Sequence, residues 1–347
     1  MTLLTLVISL ATMSVPAALI TDPFNALRIN SGRVGPRLIV LGAVHGNELC
    51  GPRAIERVLA EFKSEKLNLL RGSVSFVPIT NQKAYEQGRR EGDRNLNRNL
   101  GPSEHPQDFE DRIANALCPL LGQHDVLIDL HSFQSPGEPF AMIGPANNNG
   151  TLQPFGLSEQ EEALAVRLGP KRLVEGWLET YAEGVAARVK RAEQSDDPQT
   201  ARARLLNTDP RYGIGTTEYM RSAGGMAITL ECGQHDDPAG PEVGYRAIIN
   251  TLAHLGMIDA PPVAPRTDIE LLRLIHVTDR LDAGDTFVKP WASFDPVKAD
   301  EPIGHRHDGT LVSAPGDGFI VFPNTKAMPG NEWFYFARRS SRSLNLG

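Results

Sequence analysis

The chain has 347 residues, of which 41% are hydrophobic and 22% are charged, and its formal net charge is −7 at pH 7. This length suits one large domain with one small domain. An acidic chain lacks the basic surface that nonspecific binding to nucleic acid or to an anionic membrane requires, so we expect neither partner. A small anionic substrate is compatible with the charge, because a pocket can oppose the global sign.

The chain opens with an apolar run over residues 1–18 that is about the length of a signal peptide. No lysine or arginine precedes the run, and the first basic residue is Arg28. Because the run is rich in Thr, Val and Ile, we interpret it as a β-strand that opens the fold. The scattered cysteines Cys50, Cys118 and Cys232 form neither a CxxC pair nor a disulfide framework. We therefore expect a cytoplasmic protein, and no segment is long enough to span a bilayer.

Short apolar runs alternate with helical patterns over the first two-thirds of the chain. The predicted strands are Leu38–Val44, Ser73–Ile79, Val126–Leu130 and Ala227–Leu230. The predicted helices are Pro52–Glu65, Gln107–Leu121, Glu159–Arg191 (with a break allowed) and Pro241–Leu255. Near-continuous apolar strands separated by helices predict an α/β fold with a mostly parallel or mixed sheet covered by helices. Most charges of the helical segment from Glu159 are interpreted as a solvated face.

A proline-rich segment, Ala260–Pro265, separates this region from a different pattern. Helical patterns cease, and short strands with turn signals follow. These predicted strands are Leu271–Val277, Asp285–Val288, Thr310–Ser313, Gly318–Phe322 and Trp333–Ala337. We therefore predict an α/β domain over residues 1–259 and a smaller all-β domain over residues 266–347.

Polar residues of the types that bind metals or transfer protons stand at the ends of three apolar strands. His45 and Glu48 follow the first strand, His131 ends the strand that begins at Val126, and Glu231 follows Leu230. Ligands of open α/β sheets bind outside the carboxyl ends of the strands, so we expect these four side chains to meet. Two histidines and one carboxylate are a common ligand set for catalytic zinc, with the fourth position open for water. Asp129 is interpreted either as a residue that orients His131 or as a structural aspartate. The other histidines, His235 among them, are interpreted as surface or core residues.

A second cluster covers residues 86–100, EQGRREGDRNLNRNL, with Arg89, Arg90, Arg94 and Arg98. The run has no interleaved aromatic residues, which argues against a nucleic-acid site. A solvated loop is one interpretation. The other is recognition of a carboxylate or an oxyanion, since arginine binds carboxylates through two parallel hydrogen bonds.

Taken together, these motifs resemble the succinylglutamate desuccinylase/aspartoacylase family, relatives of the zinc carboxypeptidases. The resemblance rests on His45-x-x-Glu48, the Asn97–Arg98 pair, His131 in DLHS and Glu231 in TLECG, and it extends from about Leu38 to the C-terminus. It implies one Zn²⁺ per chain, bound by His45, Glu48 and His131. It also implies that Glu231 is the general base.

The resemblance assigns substrate contacts as well. It implies that Arg90 polarises the scissile carbonyl and that Asn97 and Arg98 bind the α-carboxylate of the amino acid. Arg221 would bind a substrate carboxylate, and Tyr335 would reach the pocket from the C-terminal β domain. Asn95 and Leu100 depart from the family pattern, in which an aspartate and an aromatic residue are usual. These departures leave the acyl group and the amino acid open.

The sequence therefore predicts a zinc-dependent amidohydrolase that removes the acyl group from a small, anionic N-acyl amino acid. One alternative is a metallocarboxypeptidase that acts on short peptides, which would share the metal ligands and the Asn97–Arg98 pair. A second alternative is a non-catalytic ligand-binding protein, against which the presence of Glu231 argues. The sequence leaves the oligomeric state open, and a homo-oligomer is compatible with it.

Overall fold

The computed structural model describes residues 23–193 and 208–347. The strand predicted for the opening apolar run lies outside these residues. Within the described part of the chain, no helix is long and apolar enough to cross a membrane.

Among its described residues, the N-terminal part combines seven strands with seven α-helices. Its strands are β1 (Leu27–Asn30), β2 (Arg37–Gly42), β3 (Ser73–Val77), β4 (Val126–Phe133), β5 (Phe140–Met142), β6 (Arg172–Glu175) and β7 (Met226–Gln234). Its helices are α1 (Cys50–Lys63), α2 (Gln82–Glu86), α3 (Phe109–Leu121), α4 (Ser158–Ala165), α5 (Trp177–Glu193), α6 (Thr216–Ser222) and α7 (Gly240–His254), with a short 3₁₀ helix at Pro210–Gly213.

The centre of the sheet is parallel and is buried on both faces. Strand β2 pairs in parallel with β3 and β4, and β4 pairs in parallel with β7. Alternate residues of β2 enter different cores: Leu38 and Val40 pack in one, and Ile39 and Leu41 pack in the other. This alternation is what a strand covered on both faces produces, and it explains why β2 reads as a continuous apolar run.

The C-terminal part continues the same sheet and adds a small one. Its strands are β8 (Glu270–Asp279), β9 (Thr286–Phe287), β10 (Pro296–Val297), β11 (Pro302–His305), β12 (Leu311–Ser313), β13 (Gly318–Val321) and β14 (Glu332–Arg339). Strand β8 pairs in parallel with β6, and β14, β13 and β10 follow as antiparallel neighbours. The result is an 11-stranded mixed sheet, with a separate three-stranded sheet of β12, β11 and β9.

The predicted fold class is thus confirmed, a mixed sheet covered by helices with a smaller C-terminal antiparallel sheet. The domain boundaries stay a prediction. Residues 261–266 have no regular structure, while the ladder from β6 to β8 joins the two parts.

The helix predicted over Glu159–Arg191 is broken, as the prediction allowed, but the strand in the break was not predicted. Strand β6 separates α4 from α5. Gly169 and Gly176 on either side of the strand have φ of 123° and 86°, a backbone conformation that a continuous helix does not contain. The expectation of a solvated charged face also fails in part, because Glu161, Glu162, Glu175 and Arg188 are buried.

Candidate active site

The turn between β2 and α1 carries His45 and Glu48. Both side chains are buried, and the backbone N–H of Glu48 donates to the carbonyl oxygen of His45. Glycines flank this turn because neighbouring backbone passes very close. A Cβ atom at Gly46 would lie 2.0 Å from the carbonyl carbon of Ala84, and one at Gly42 would lie 2.8 Å from the carbonyl oxygen of Pro78. Tight packing, rather than a left-handed turn, therefore accounts for both glycines.

His45, Glu48 and His131 form one group, hereafter the His–Glu–His cluster. The Nδ1 atom of His45 lies 2.9 Å from Oε1 of Glu48, and Nδ1 of His131 lies 2.9 Å from Oε2 of Glu48. The two Nδ1 atoms are 3.2 Å apart. Three potential ligand atoms, one from each residue, lie within 4.8 Å of one another. Two imidazole nitrogens and a carboxylate are donors that zinc prefers, so the residues fit a single divalent ion.

The outer nitrogen of each histidine faces an oxygen atom of a neighbouring side chain. Nε2 of His45 lies 3.1 Å from Oδ1 of Asn95 in a hydrogen bond. Nε2 of His131 lies 2.9 Å from Oδ2 of Asp129 as a charge contact without hydrogen-bond geometry. An oxygen beside the outer nitrogen favours a proton there and leaves the inner nitrogen for a metal. Burial, aided by Arg90, lowers the pKa of His45 to about 4, so its imidazole is neutral at neutral pH and one ring nitrogen carries a lone pair.

Glu231 lies beside the cluster because β7 pairs with β4 in register, with Glu231 opposite His131. Its side chain is buried, and its Oε2 atom has no hydrogen-bond partner among the described residues. Burial, followed by the Glu48 and Asp129 carboxylates, raises the pKa of Glu231 to about 8, against the opposing charges of His131 and Arg90. A carboxyl group that titrates near neutrality suits proton transfer.

The arginine-rich segment 86–100 is a loop that wraps around the buried carboxylate of Glu110. That carboxylate accepts hydrogen bonds from the backbone N–H groups of Gly92, Asp93 and Arg94. The arrangement directs Arg90 toward the cluster, where its Nη1 lies 3.1 Å from Oε1 of Glu48. The loop is therefore organised by the fold rather than solvated throughout.

Asn97 and Arg98 lie at the end of this loop and line the same cavity. The Oδ1 atom of Asn97 accepts a hydrogen bond of 2.8 Å from the backbone N–H of Thr216, which leaves the amide nitrogen as a donor. The Arg98 guanidinium donates to the carbonyl oxygen of Asn97 and lies over the ring of Trp177 at 4.8 Å.

No carboxylate within the described residues lies within ion-pairing distance of Arg98, and the nearby carboxylate of Glu332 pairs with Arg188 instead. The positive charge of Arg98 nevertheless lowers the pKa of Glu332, which also lines the cavity. Arg98 can therefore bind an anion, with Glu332 as a competing negative charge.

Tyr335 reaches the cavity from β14, as expected for a residue of the C-terminal part. It is buried, and its hydroxyl group has no hydrogen-bond partner among the described residues. Burial raises its pKa well above the ordinary value, so the hydroxyl group keeps its proton and can donate to a ligand.

Arg221 also lines the cavity, but carboxylates already surround it. Its Nε and Nη2 atoms donate to Glu161, and its Nη1 lies 3.4 Å from Oε1 of Glu218. The structure thus places Arg221 in the wall of the cavity in an ion-paired state.

Several residues of the cavity could not be identified from the sequence, among them His235, Trp177, Glu218 and Phe322. His235, interpreted from the sequence as a surface or core residue, lines the cavity, and its Nδ1 lies 2.8 Å from Oγ of Ser132. Trp177 lines it from the start of α5. His235 stands four residues after Glu231, and this position beyond a strand end was the available signal. Nothing in the local sequence marks Trp177.

All the predicted site residues line one cavity of about 410 Å³, namely His45, Glu48, Arg90, Asn97, Arg98, His131, Arg221, Glu231 and Tyr335. This volume is within the range of small-molecule sites.

Residues 34–136 match a family model described as the succinylglutamate desuccinylase/aspartoacylase catalytic domain. No curated protein matches the chain significantly by sequence.

Solved structures share the fold over most of the chain. A succinylglutamate desuccinylase/aspartoacylase from Rhodobacter sphaeroides is 17% identical, with a TM-score of 0.67 over 91% of this chain and 90% of that one. The product-bound ectoine utilization protein EutE (DoeB) from Ruegeria pomeroyi is 17% identical, with a TM-score of 0.65 over 90% and 88%. The succinylglutamate desuccinylase from Vibrio cholerae is 17% identical, with a TM-score of 0.65 over 90% and 85%. The match of residues 34–136 confirms the resemblance drawn from the motifs, and the solved structures of that family share the fold over most of the chain.

Proposed function

We propose that the protein is a zinc-dependent amidohydrolase that removes the acyl group from small N-acyl amino acids. The observation that carries the proposal is the buried His–Glu–His cluster with Glu231 beside it in one cavity. Relationship to a deacylase family supports the reaction class.

His45, Glu48 and His131 would hold the metal ion. When bound, zinc supplies a Lewis acid and lowers the pKa of its water to about 7. Glu231 would accept a proton from the attacking water and return it to the departing amine. The Arg90 guanidinium stabilises negative charge that develops on the carbonyl oxygen, because a fixed cation in a partly buried site acts strongly there.

The other end of the substrate is positioned by the loop and the C-terminal strand. Arg98 and the amide nitrogen of Asn97 bind the α-carboxylate, and the Tyr335 hydroxyl donates a further hydrogen bond. Trp177, Phe322 and Tyr335 narrow the cavity to small substrates. A peptidase would need room for the chain on the far side of the scissile bond.

The test measures release of free amine from a panel of N-acyl amino acids and, separately, from short peptides. The zinc-loaded protein is expected to hydrolyse N-acyl amino acids faster than peptides and to lose activity with a chelator, and Glu231→Gln is expected to be inactive. Faster cleavage of peptides would instead support a metallocarboxypeptidase. Binding without hydrolysis would support a non-catalytic protein.

A further inference from the structure

The guanidinium of Arg221 is neutralised inside the cavity wall. Its Nε lies 3.0 Å from Oε2 of Glu161, and its Nη2 lies 3.1 Å from Oε1 of the same carboxylate. Nη2 also donates to the carbonyl oxygen of Ala227. A Cβ atom at position 144 would lie 2.5 Å from Nε, so Gly144 packs directly against the side chain. Arg221 is therefore fixed in place with a bidentate partner.

Glu218 places a second carboxylate at the same end of the cavity. Its Oε1 lies 3.4 Å from Nη1 of Arg221 and accepts a hydrogen bond from the hydroxyl group of Thr217. Its Oε2 accepts one from the backbone N–H of Gly215. These hydrogen bonds fix the Glu218 carboxylate in this position. The carboxylates of Glu161 and Glu218 therefore both face the Arg221 guanidinium, and the net charge at this end of the cavity is negative.

Arg98 has a different environment at the other end. It donates to a backbone carbonyl oxygen and has no carboxylate within ion-pairing distance among residues 23–193 and 208–347, because the nearby Glu332 pairs with Arg188 instead. Arg90 already faces Glu48 of the metal cluster. Lys326, at the mouth, is exposed to solvent, and an exposed ion pair contributes little to binding. Among the described residues that line the cavity, Arg98 is thus the arginine that has no ion-paired carboxylate and can bind a substrate carboxylate away from the metal cluster.

Building on the proposed function, we propose that the enzyme acts on N-acyl amino acids that carry a single carboxylate. Glu161 and Glu218 then determine specificity, because they prevent Arg221 from binding a second carboxylate. A dicarboxylic substrate would bring a further anion against Glu218 in a buried site, and like charges in such contact are strongly unfavourable. The acyl group and the side chain of the preferred substrate are accordingly free of carboxylates.

The experiment compares kcat/KM of the zinc-loaded enzyme for N-acetyl-L-methionine with that for N-acetyl-L-aspartate and N-succinyl-L-glutamate. The expected preference for the monocarboxylic substrate is about tenfold or more, since buried like charges discriminate at least this strongly. Glu218→Gln is expected to reduce that preference by about tenfold, because it frees one edge of Arg221 and removes the repelling charge. Glu159→Gln, an exposed change on α4, is the matched control and should leave the preference unaltered.

A binding measurement tests the inference even if the Glu218→Gln protein does not fold or if none of the compounds is hydrolysed. Calorimetric titration of the zinc-loaded Glu231→Gln protein with the same compounds should show tighter binding of the monocarboxylic one. Tighter binding or faster cleavage of the dicarboxylic compounds by the wild-type site would overturn the inference and leave the proposed function standing. Absence of hydrolysis for every compound would instead overturn the proposed function, while the titration still decides the inference.

Discussion

Replacing Glu231 by glutamine is the most informative single change, because it separates catalysis from stability. The substitution keeps the size of the side chain and removes its capacity to take up a proton. General acid–base catalysis typically contributes about 10²–10⁴-fold to a rate. We therefore expect kcat of the zinc-loaded Glu231→Gln enzyme to fall by at least about 100-fold, with bound zinc retained.

The same change should stabilise the metal-free protein at neutral pH. The pKa of Glu231 is raised by burial from 4.5 to about 8 in the folded state. Below pH 4.5 Glu231 is protonated in both the folded and the unfolded chain, so its burial does not lower the free energy of unfolding. As pH rises from 4.5 toward 8, Glu231 ionises in the unfolded chain but not in the folded one, and the loss of stability grows. About 2.5 pH units separate 4.5 from 7, and each is worth about 1.4 kcal/mol, so the expected cost at pH 7 is about 3 kcal/mol.

Steady-state kinetics of the zinc-loaded protein measure the effect on kcat. Urea unfolding of the metal-free protein at pH 5 and pH 7 measures the effect on stability. The variant should be about 3 kcal/mol more stable than wild type at pH 7 and about 1 kcal/mol more stable at pH 5. Glu56→Gln, an exposed change on α1, controls for the loss of one charge. Unreduced kcat would refute the role of Glu231 as a base, and an equal pH slope in both proteins would refute the account from burial.

Three further changes test the metal site and the frame around it. His45→Ala should leave little zinc per chain by elemental analysis, whereas exposed His105→Ala should retain it. Asp129→Asn should weaken zinc binding by about 10–100-fold in competition with a chromophoric chelator, because it removes the carboxylate behind a ligand. Arg188→Met should lower the free energy of unfolding by about 3 kcal/mol in urea, since it breaks a buried bidentate ion pair. Exposed Lys190→Met on the same helix should change it by less than about 0.5 kcal/mol.

The metal site could be predicted from sequence because its residues follow strong local signals. Strands β2, β4 and β7 are continuous apolar runs, and parallel strands present their carboxyl ends at one edge of a sheet. The roles assigned to these residues stay predictions. Their meeting in one cavity is a property of the fold.

The state of Arg221 could not be predicted in this way. Its partner Glu161 lies 60 positions away on another helix, within a segment whose charges resemble a solvated face. Ion pairing between distant elements leaves no trace in local periodicity. Strand β6 was missed for a related reason, since its four residues are too short to outweigh the helical pattern on both sides.

The ladder between β6 and β8 has a mechanical consequence. Four residue pairs join β6 to β8, and β8 pairs with β14, which carries Tyr335. Swinging the C-terminal part aside would break this backbone pairing, so a hinge motion at this ladder is energetically unfavourable. Under the proposed function, we expect substrates to enter past side chains and loops at the rim of the cavity and activity to survive crosslinking of the two parts.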